Sequence, residues 1–366
     1  KNQQSERCTT YMATIKDIAE KANVSLSTVS LIINGKASER KISRETEERV
    51  LKIMREMNYI PNISAKTMRS GATPEYILAL FCSFDFRNTM MTRLLYGIQN
   101  MIDLNQDRIK VIIYPYQSGH LSKEHSHFSG AEFHAAIIAN ADAKDLNYLK
   151  NHQFVMPIIL YNRLLENYPS VNVNDKEIGR IAALHLYEQG YRHPAIVTST
   201  QTFPGASHRN RAFVEQLKKL DIDIPKNYIY IIGPSVRDGA QFAEQLLSDS
   251  GSSGELPDSF WCFSDSIALG LLNAFSARNI KIPEDIGVIS VGSIESMFAR
   301  YNHPSLTVID IPIEKMGEGC YQFIKENRQA SQPQAAGVFY ETKLYVRDST
   351  NRKRNQTSSS SNPVTV

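Results

Sequence analysis

The chain has 366 residues, 42% of them hydrophobic, with 22% charged and a formal net charge of +3. That length accommodates a small domain plus a large body, and the apolar share excludes disorder through most of the chain. The charge is uneven: residues 12–70 hold 11 Lys+Arg against 7 Asp+Glu, which puts a basic head on an otherwise acidic body and suits a protein that meets phosphates at one end.

Residues 1–12 read as a leader or cloning remnant, because Met12-Ala13-Thr14 looks like a natural start. Apolar residues at Ile15, Ile18, Ala19 and Ala22 predict one short helix, and Val29, Ile32 and Ile33 a second. Between them, Asn23 tolerates a left-handed turn, Val24 can plug the angle and Ser25 can cap the second helix. This is a helix-turn-helix pattern, whose second helix would offer Ser25, Leu26, Ser27, Thr28 and Ser30 to a DNA major groove. Ser43 can cap a third helix with Glu45, Glu47 and Glu48 near its positive end and Val50, Ile53, Met54 and Met57 on its apolar face.

These pieces carry a resemblance. T-I-K-D-I-A, A-x-V-S-x-x-T-V-S, Asn34-Gly35, S-x-x-T-x-x-R-V and N-Y-I-P-N follow one another in the order found in the LacI/GalR family of bacterial transcription regulators. The resemblance makes residues 13–60 a DNA-binding headpiece, with Thr14, Leu31 and Asn34 added to the candidate DNA contacts. Leu31 stands where the family commonly has Arg or another polar base reader. Together with Leu26 it favours thymine methyls over guanine.

Residues 61–71, introduced by Pro61, are too short for a helix that persists alone. In the family this stretch is a hinge helix that orders when two copies pair over the minor groove. Asn62 can cap it, Ala65 is the small contact residue and Met68 replaces the usual Leu wedge.

From Tyr76 on, apolar runs alternate with longer amphipathic stretches: YILALFCSF, RIKVIIYPY, AAIIAN, MPIILYN, PAIVTST, YIYII, FWCFS and IGVISVG. This predicts parallel sheets covered by helices, and eight or more strands imply two lobes. Residues 72–348 resemble the type I periplasmic-binding-protein fold, on the V-N-V-N-D-K-E-I-G run, G-Y-R-H-P-A-I-V, P-E-D-I-G-V-I-S-V-G, A-R-Y-N-H-P-S-L-T-V and I-P-I-E-K-M-G. The expected fold class is therefore an all-α helix-turn-helix headpiece plus an α/β body of two Rossmann-like lobes. The chain is expected to cross between lobes near 161–174, near 292–306 and near the last helix and strand. Residues 349–366 lack apolar periodicity and are expected to be a disordered tail.

Ligands of open α/β sheets sit beyond the carboxyl ends of strands. Those ends and the resemblance nominate Asp85, Asn140, Asn162, Arg209, Ser264, Asp265 and Glu295 as effector contacts. Here the sequence departs from sugar-binding relatives. Their Asn-Asp is Ser264-Asp265, and their G-F-D or G-Y-D is Gly292-Ser293-Ile294, which leaves Glu295 as the carboxylate at hand. A simple pyranose in the usual pose should lose on the order of 1 to 3 kcal/mol per unmade charged contact.

Cys8, Cys82, Cys262 and Cys320 are far apart, which speaks against a disulfide framework or metal site. Cys82 and Cys262 read as core residues, and a reduced cytoplasmic setting fits. His125, His127 and His134 cluster, but no HExxH, GxSxG or phosphate loop accompanies them, so neither catalytic residues nor a cofactor is expected. No run reaches the roughly 20 apolar residues of a membrane span, and no secretory signal opens the chain. The expected partners are double-stranded operator DNA, a sugar-derived or other small effector, and a second copy of the chain as a homodimer, since no Leu heptad offers a tetramerising tail. A repressor controlled through cleft closure is the leading reading. The alternatives are a regulator controlled by a docked phosphocarrier-type protein, and a solute-binding protein, which fits the body but not the headpiece.

Overall fold

A computed structural model of the protein describes residues 13–57, 59, 76–83, 88–130, 132–152, 154, 156–200, 204–250, 256–292, 297–328 and 336–352. The chain divides into two compact units, Lys1–Asn172 with Ile313–Val338, and Val173–Pro312 with Phe339–Val366.

The first unit opens with three helices, α1 (Ile15–Ala22), α2 (Leu26–Ile33) and α3 (Arg44–Glu56), each begun by a hydroxyl cap. Thr14 and Asp17 form a reciprocal capping box. The Thr28 amide donates to Ser25 Oγ at 3.1 Å and the Thr46 amide to Ser43 Oγ at 3.2 Å, which satisfies donors a free helix end would leave bare. Asn23 takes the left-handed conformation (φ 51°) that turns the chain from α1 into α2. Ile18, Val29, Ile32, Val50 and Met54 bury completely or nearly so, and Val24, Ile42 and Tyr59 pack against them.

The α/β part of this unit is a six-stranded sheet. It contains β1 (Tyr76–Ser83), β2 (Ile109–Tyr116), β3 (Ala135–Ala139), β4 (Ile158–Tyr161), β5 (Ser170–Val173) and β11 (Gly337–Tyr340), in the order β11-β5-β4-β3-β1-β2. The neighbours from β5 to β2 run parallel. β3 and β4 are buried at every residue, as expected of strands covered on both faces. The helices are α4 (Asn88–Leu104), α5 (Ala143–Lys150) and α11 (Ile313–Glu326). Gly97 lets α4 lie against α11, since a Cβ there would stand 2.1 Å from the Glu314 carbonyl oxygen. Arg93 and Glu314 form a two-pronged ion pair across the same contact.

The longer amphipathic stretch expected after β2 is instead a 3-10 helix, Leu121–Ser129. Two left-handed glycines, Gly119 (φ 75°) and Gly130 (φ 80°), bracket the segment. The buried Asp145 carboxylate further pins the connection by accepting from the Gly119 and Leu121 amides at 3.1 and 3.0 Å.

The second unit holds β6 (Pro194–Ser199), β7 (Ile229–Ile232), β8 (Ser259–Cys262), β9 (Gly287–Gly292), β10 (Thr307–Asp310) and β12 (Lys343–Tyr345), ordered β12-β10-β9-β8-β6-β7. All neighbours are parallel except β12 on β10. Its helices are α6 (Asp175–Glu188), α7 (Pro204–Lys218), α8 (Val236–Ser250), α9 (Asp265–Ala277) and α10 (Met297–Tyr301). Phe213 stacks on Trp261 at 5.6 Å, and the Trp261 Nε1 donates to Asn210 at 3.0 Å, satisfying the one polar atom of a buried ring.

Two expectations need correction. The second crossing between units falls at 312/313 rather than 292–306, because the short T-V-I-D run of β10 completes the sheet beside β9 before the chain leaves. The tail does not begin at 349. Ser349 and Thr350 are fully buried; the Thr307 amide donates to Ser349 Oγ at 2.8 Å, and Thr350 Oγ1 lies 2.7 Å from both His185 Nε2 and Thr307 Oγ1. Arg352 closes this strap with its guanidinium 4.0 Å from the centroid of the Tyr191 ring. Cys82, Cys262 and Cys320 are buried. Among the described residues no helix is long and apolar enough to cross a membrane.

Candidate nucleic-acid interface and effector residues

The headpiece presents one end of α2 outward. Val29, Ile32 and Ile33 sink into the core, so the helical period turns Leu26, Ser30 and Asn34 to one outer stripe and Ser27 and Leu31 to the next. Ser25, Leu26 and Ser27 are exposed, Leu26 to 50%, while Thr28, Ser30 and Leu31 are half-buried. No acidic residue lies in the first turn of α2, and its free amides point at whatever approaches that end. An anionic backbone is met by dipole and hydroxyls without repulsion.

The hydroxyls are not equivalent. Ser25 Oγ accepts from the Thr28 amide and lies 2.7 Å from Ser27 Oγ and 2.8 Å from Thr28 Oγ1, so it is first a cap and the hub of a hydroxyl cluster. Asn34 is likewise engaged, its Nδ2 donating to the Ser30 carbonyl at 2.6 Å. Thr14 is exposed but held by Asp17, whose Oδ2 accepts its backbone amide at 2.7 Å. Leu26 and Ser27 remain the most outward side chains of α2.

A basic turn follows α2 in which Lys36, Arg40 and Lys41 are all exposed, and the residue-by-residue reading of contacts passed over it. Three cations in the six residues 36–41, just after α2, were the available signal. Glu47, on α3, has its carboxyl pushed up by burial and by Glu48, with Arg44 opposing. Of the remaining expected DNA contacts, Asn62, Ala65 and Met68 lie outside the described residues.

In the first unit the register brings candidate effector residues into one row. Cys82 pairs with Ala139, and Ala139 with Tyr161, so the next residue on each strand, Ser83, Asn140 and Asn162, meets at the carboxyl edge of the sheet. Asn140 (φ 63°) and Asn162 (φ 51°) turn sharply there. Asn140 is 6% exposed, and its Nδ2 has no hydrogen-bond partner among the described residues. The buried Arg163 braces this edge by donating through Nε to the Ala141 carbonyl at 2.6 Å. Asp85 lies outside the described residues.

A second row forms in the second unit. Val197, Cys262 and Ser290 are in register and Gly292 pairs with Asp310, so Ser199, Ser264, Gly292 and Asp310 share the carboxyl edge. Ser264 caps α9, and Asp265 approaches Gly292 so closely that a Cβ at 292 would lie 3.1 Å from the Asp265 Cβ. Asp310 was missed because its strand, T-V-I-D, has only two apolar residues and does not stand out as a run. Burial holds the Arg347 guanidinium below its ordinary range and Arg300 adds to this, while the Asp310 carboxylate opposes it. Arg209 is only 4% exposed and its Nε donates to Asp175 Oδ1 at 2.7 Å, so this cation ties α7 to the start of α6. Glu295 lies outside the described residues.

Residues 14–62 match the family described as bacterial regulatory proteins, lacI family, and residues 183–350 a periplasmic binding protein-like domain. The HTH-type transcriptional regulator YvdE of Bacillus subtilis (strain 168) is 26% identical over 339 residues, spanning 93% of this chain and all of that one. The crystal structure of a LacI family transcription regulator from Clostridium acetobutylicum is 30% identical, with a TM-score of 0.70 over 75% of this chain and all of that one. The lac repressor dimer bound to operator and the anti-inducer ONPF shares the fold, with a TM-score of 0.65, 20% identity and coverage of 93% of this chain and 99% of that one. These relatives are regulators rather than enzymes. A capped helix-turn-helix ahead of two parallel α/β sheets, with relatives matched along nearly the whole chain, makes this protein a member of the LacI family of DNA-binding transcriptional regulators.

Proposed function

We propose that the protein is a cytoplasmic repressor that binds a two-fold operator as a homodimer and responds to a small polar metabolite. The observation that carries this reading is the outward N-terminal end of α2, with Leu26 and Ser27 exposed and no carboxylate in its first turn. Placed in a major groove, that end reads base edges while Lys36, Arg40 and Lys41 take phosphates on the flank. Two headpieces related by symmetry then meet half-sites about one helical turn apart. The operator-bound dimer of the lac repressor, which shares this fold, supports the arrangement. Asn62, Ala65 and Met68 are assigned to the minor groove at the operator centre.

The test is protection mapping on the protein's own promoter, with affinity followed against salt. A discrete two-fold footprint that weakens steeply with salt is expected, each phosphate contact contributing roughly 0.9 to the logarithmic slope. A diffuse footprint overturns the reading. Leu26 and Leu31 further imply outer operator bases rich in thymine, which selection from random duplexes checks; guanine dominating opposite Leu31 contradicts it.

The two carboxyl-edge rows suit hydroxyls and amides. Asn140 offers an unpaired buried donor, which a ligand acceptor satisfies at a gain on the order of 1 to 3 kcal/mol. With Ile294 where relatives carry a clamp carboxylate, an ordinary pyranose in the usual pose is not the effector. Tight monosaccharide binding by calorimetry that survives Glu295→Ala refutes this. Whatever binds, it changes operator affinity only through unequal affinity for the two states of the protein.

A further inference from the structure

The 3-10 helix Leu121–Ser129 leaves a ring-lined patch on the first unit where an α-helix would have covered the sheet. Phe128 is buried, while His125, Tyr148, His152 and Phe154 are half-buried. The rings run outward from the core without a break. Phe81 to Phe128 is 4.8 Å between centroids, Phe128 to Phe154 is 5.1 Å, and His125 to His152 is 5.7 Å. His125 Nδ1 lies 2.6 Å from the Tyr148 hydroxyl, which fixes the imidazole in place.

The headpiece meets this patch with its back. Ile32, Gly35, Glu47 and Leu51 line one wall of a gap whose other wall is His125, Phe128, Ser129 and Phe154. Gly35 (φ 67°) ends the turn after α2, and a Cβ built there would stand 2.6 Å from Ser126 Cβ. No residue other than glycine fits both that conformation and that approach. We propose that the 3-10 patch is a seat for the headpiece of the same chain, so that the first unit holds the reading helix by direct contact as well as through the connecting residues. The seat grips the end of α2 opposite to the one that reads. Ser25, Leu26 and Ser27 stay exposed, so the contact orients the reading end rather than hiding it. An oriented headpiece has less freedom to lose on binding DNA, and a displacement of the 3-10 helix is felt by α2 directly. This consequence rests on the repressor reading; the seat itself does not.

Amide hydrogen exchange on the full-length protein tests it, with Ser126→Trp as the probe, because Ser126 is exposed and lies against Gly35 of the headpiece. Exchange of residues 32–37 and of Leu121–Ser129 should rise together several-fold, with the melting of headpiece and lobes unchanged. Ser122→Trp, exposed on the same 3-10 helix but absent from the gap, should leave both segments as in the parent protein. Exchange unchanged by Ser126→Trp, or raised equally by Ser122→Trp, overturns the seat. Operator binding on the same samples separates the two ideas. A parent protein without operator affinity that still loses protection in Ser126→Trp sinks the repressor reading alone, and unchanged protection with operator affinity intact sinks the seat alone.

Discussion

In the headpiece, helices of 8, 8 and 13 residues close on ten buried apolar side chains, whereas one cluster in the first unit's α/β part joins thirteen buried residues from strands and crossovers. A core that small leaves only a few kcal/mol of margin, so each cap matters to whether it folds. The strands draw their stability from neighbours far along the chain, and local ends matter little there. The half that touches DNA is therefore the half most easily unfolded, and its stability can be changed without disturbing the lobes.

The largest effect should come from the lobe core. Phe81→Ala removes a fully buried ring that contacts Tyr114, Phe128 and Phe133, and should lower the stability of the first unit by about 3–5 kcal/mol in calorimetry. Met54→Ala, fully buried in the headpiece, costs about 2–5 kcal/mol in a domain with little more than that to lose. Operator binding should vanish while the main thermal transition stays where it was, and a cooperative loss of both would erase the distinction between the two regions.

The lobes carry a polar device that the headpiece lacks. Burial pushes the His185 imidazole down to about 4 from its ordinary 6.5, where it meets Thr350 as a neutral ring. Between those values the unfolded chain binds more protons than the folded one. The contribution of His185, on the order of 3 kcal/mol, is therefore complete above pH 6.5 and is lost as the pH falls toward 4. Melting of the second unit across that range should show this slope, and His185→Gln should flatten it. A slope identical in the variant rules His185 out.

Smaller effects separate capping from reading inside the headpiece. Ser25→Ala should destabilise it by about 0.5–2 kcal/mol, visible as earlier local exchange of α2, because the hydroxyl caps the helix. Leu26→Ala should change stability by no more than about 0.5 kcal/mol yet weaken operator binding, since half of that side chain is exposed and no core contact is lost. If Leu26→Ala left affinity untouched while Ser27→Ala abolished it, base contact would belong to the hydroxyl face alone.

Much of the fold was legible because it is encoded locally. Ser25 and Ser43 announce two helix starts, Asn23 announces a left-handed turn, and all eight apolar runs named from the sequence became strands. Strands with few apolar residues were not readable as such: β10 (T-V-I-D) and β12 (K-L-Y) hold two each and become strands by adding to the β9 side of the sheet. Ser349 and Thr350 read as tail because their partners, Val288, Thr307 and His185, lie at least 42 residues away in sequence.

The amino-acid order by itself determined the helix-turn-helix, its caps, the outward serines and Leu26, and the alternation that makes two parallel sheets, since each depends on residues within a turn or two of one another. Only the tertiary structure decided which strand ends share a row, why Asp310 joins Ser264 while Arg209 is tied to Asp175, and where the 3-10 helix exposes its rings. Those outcomes follow from register and burial, which are settled when distant segments pack and which no local pattern carries.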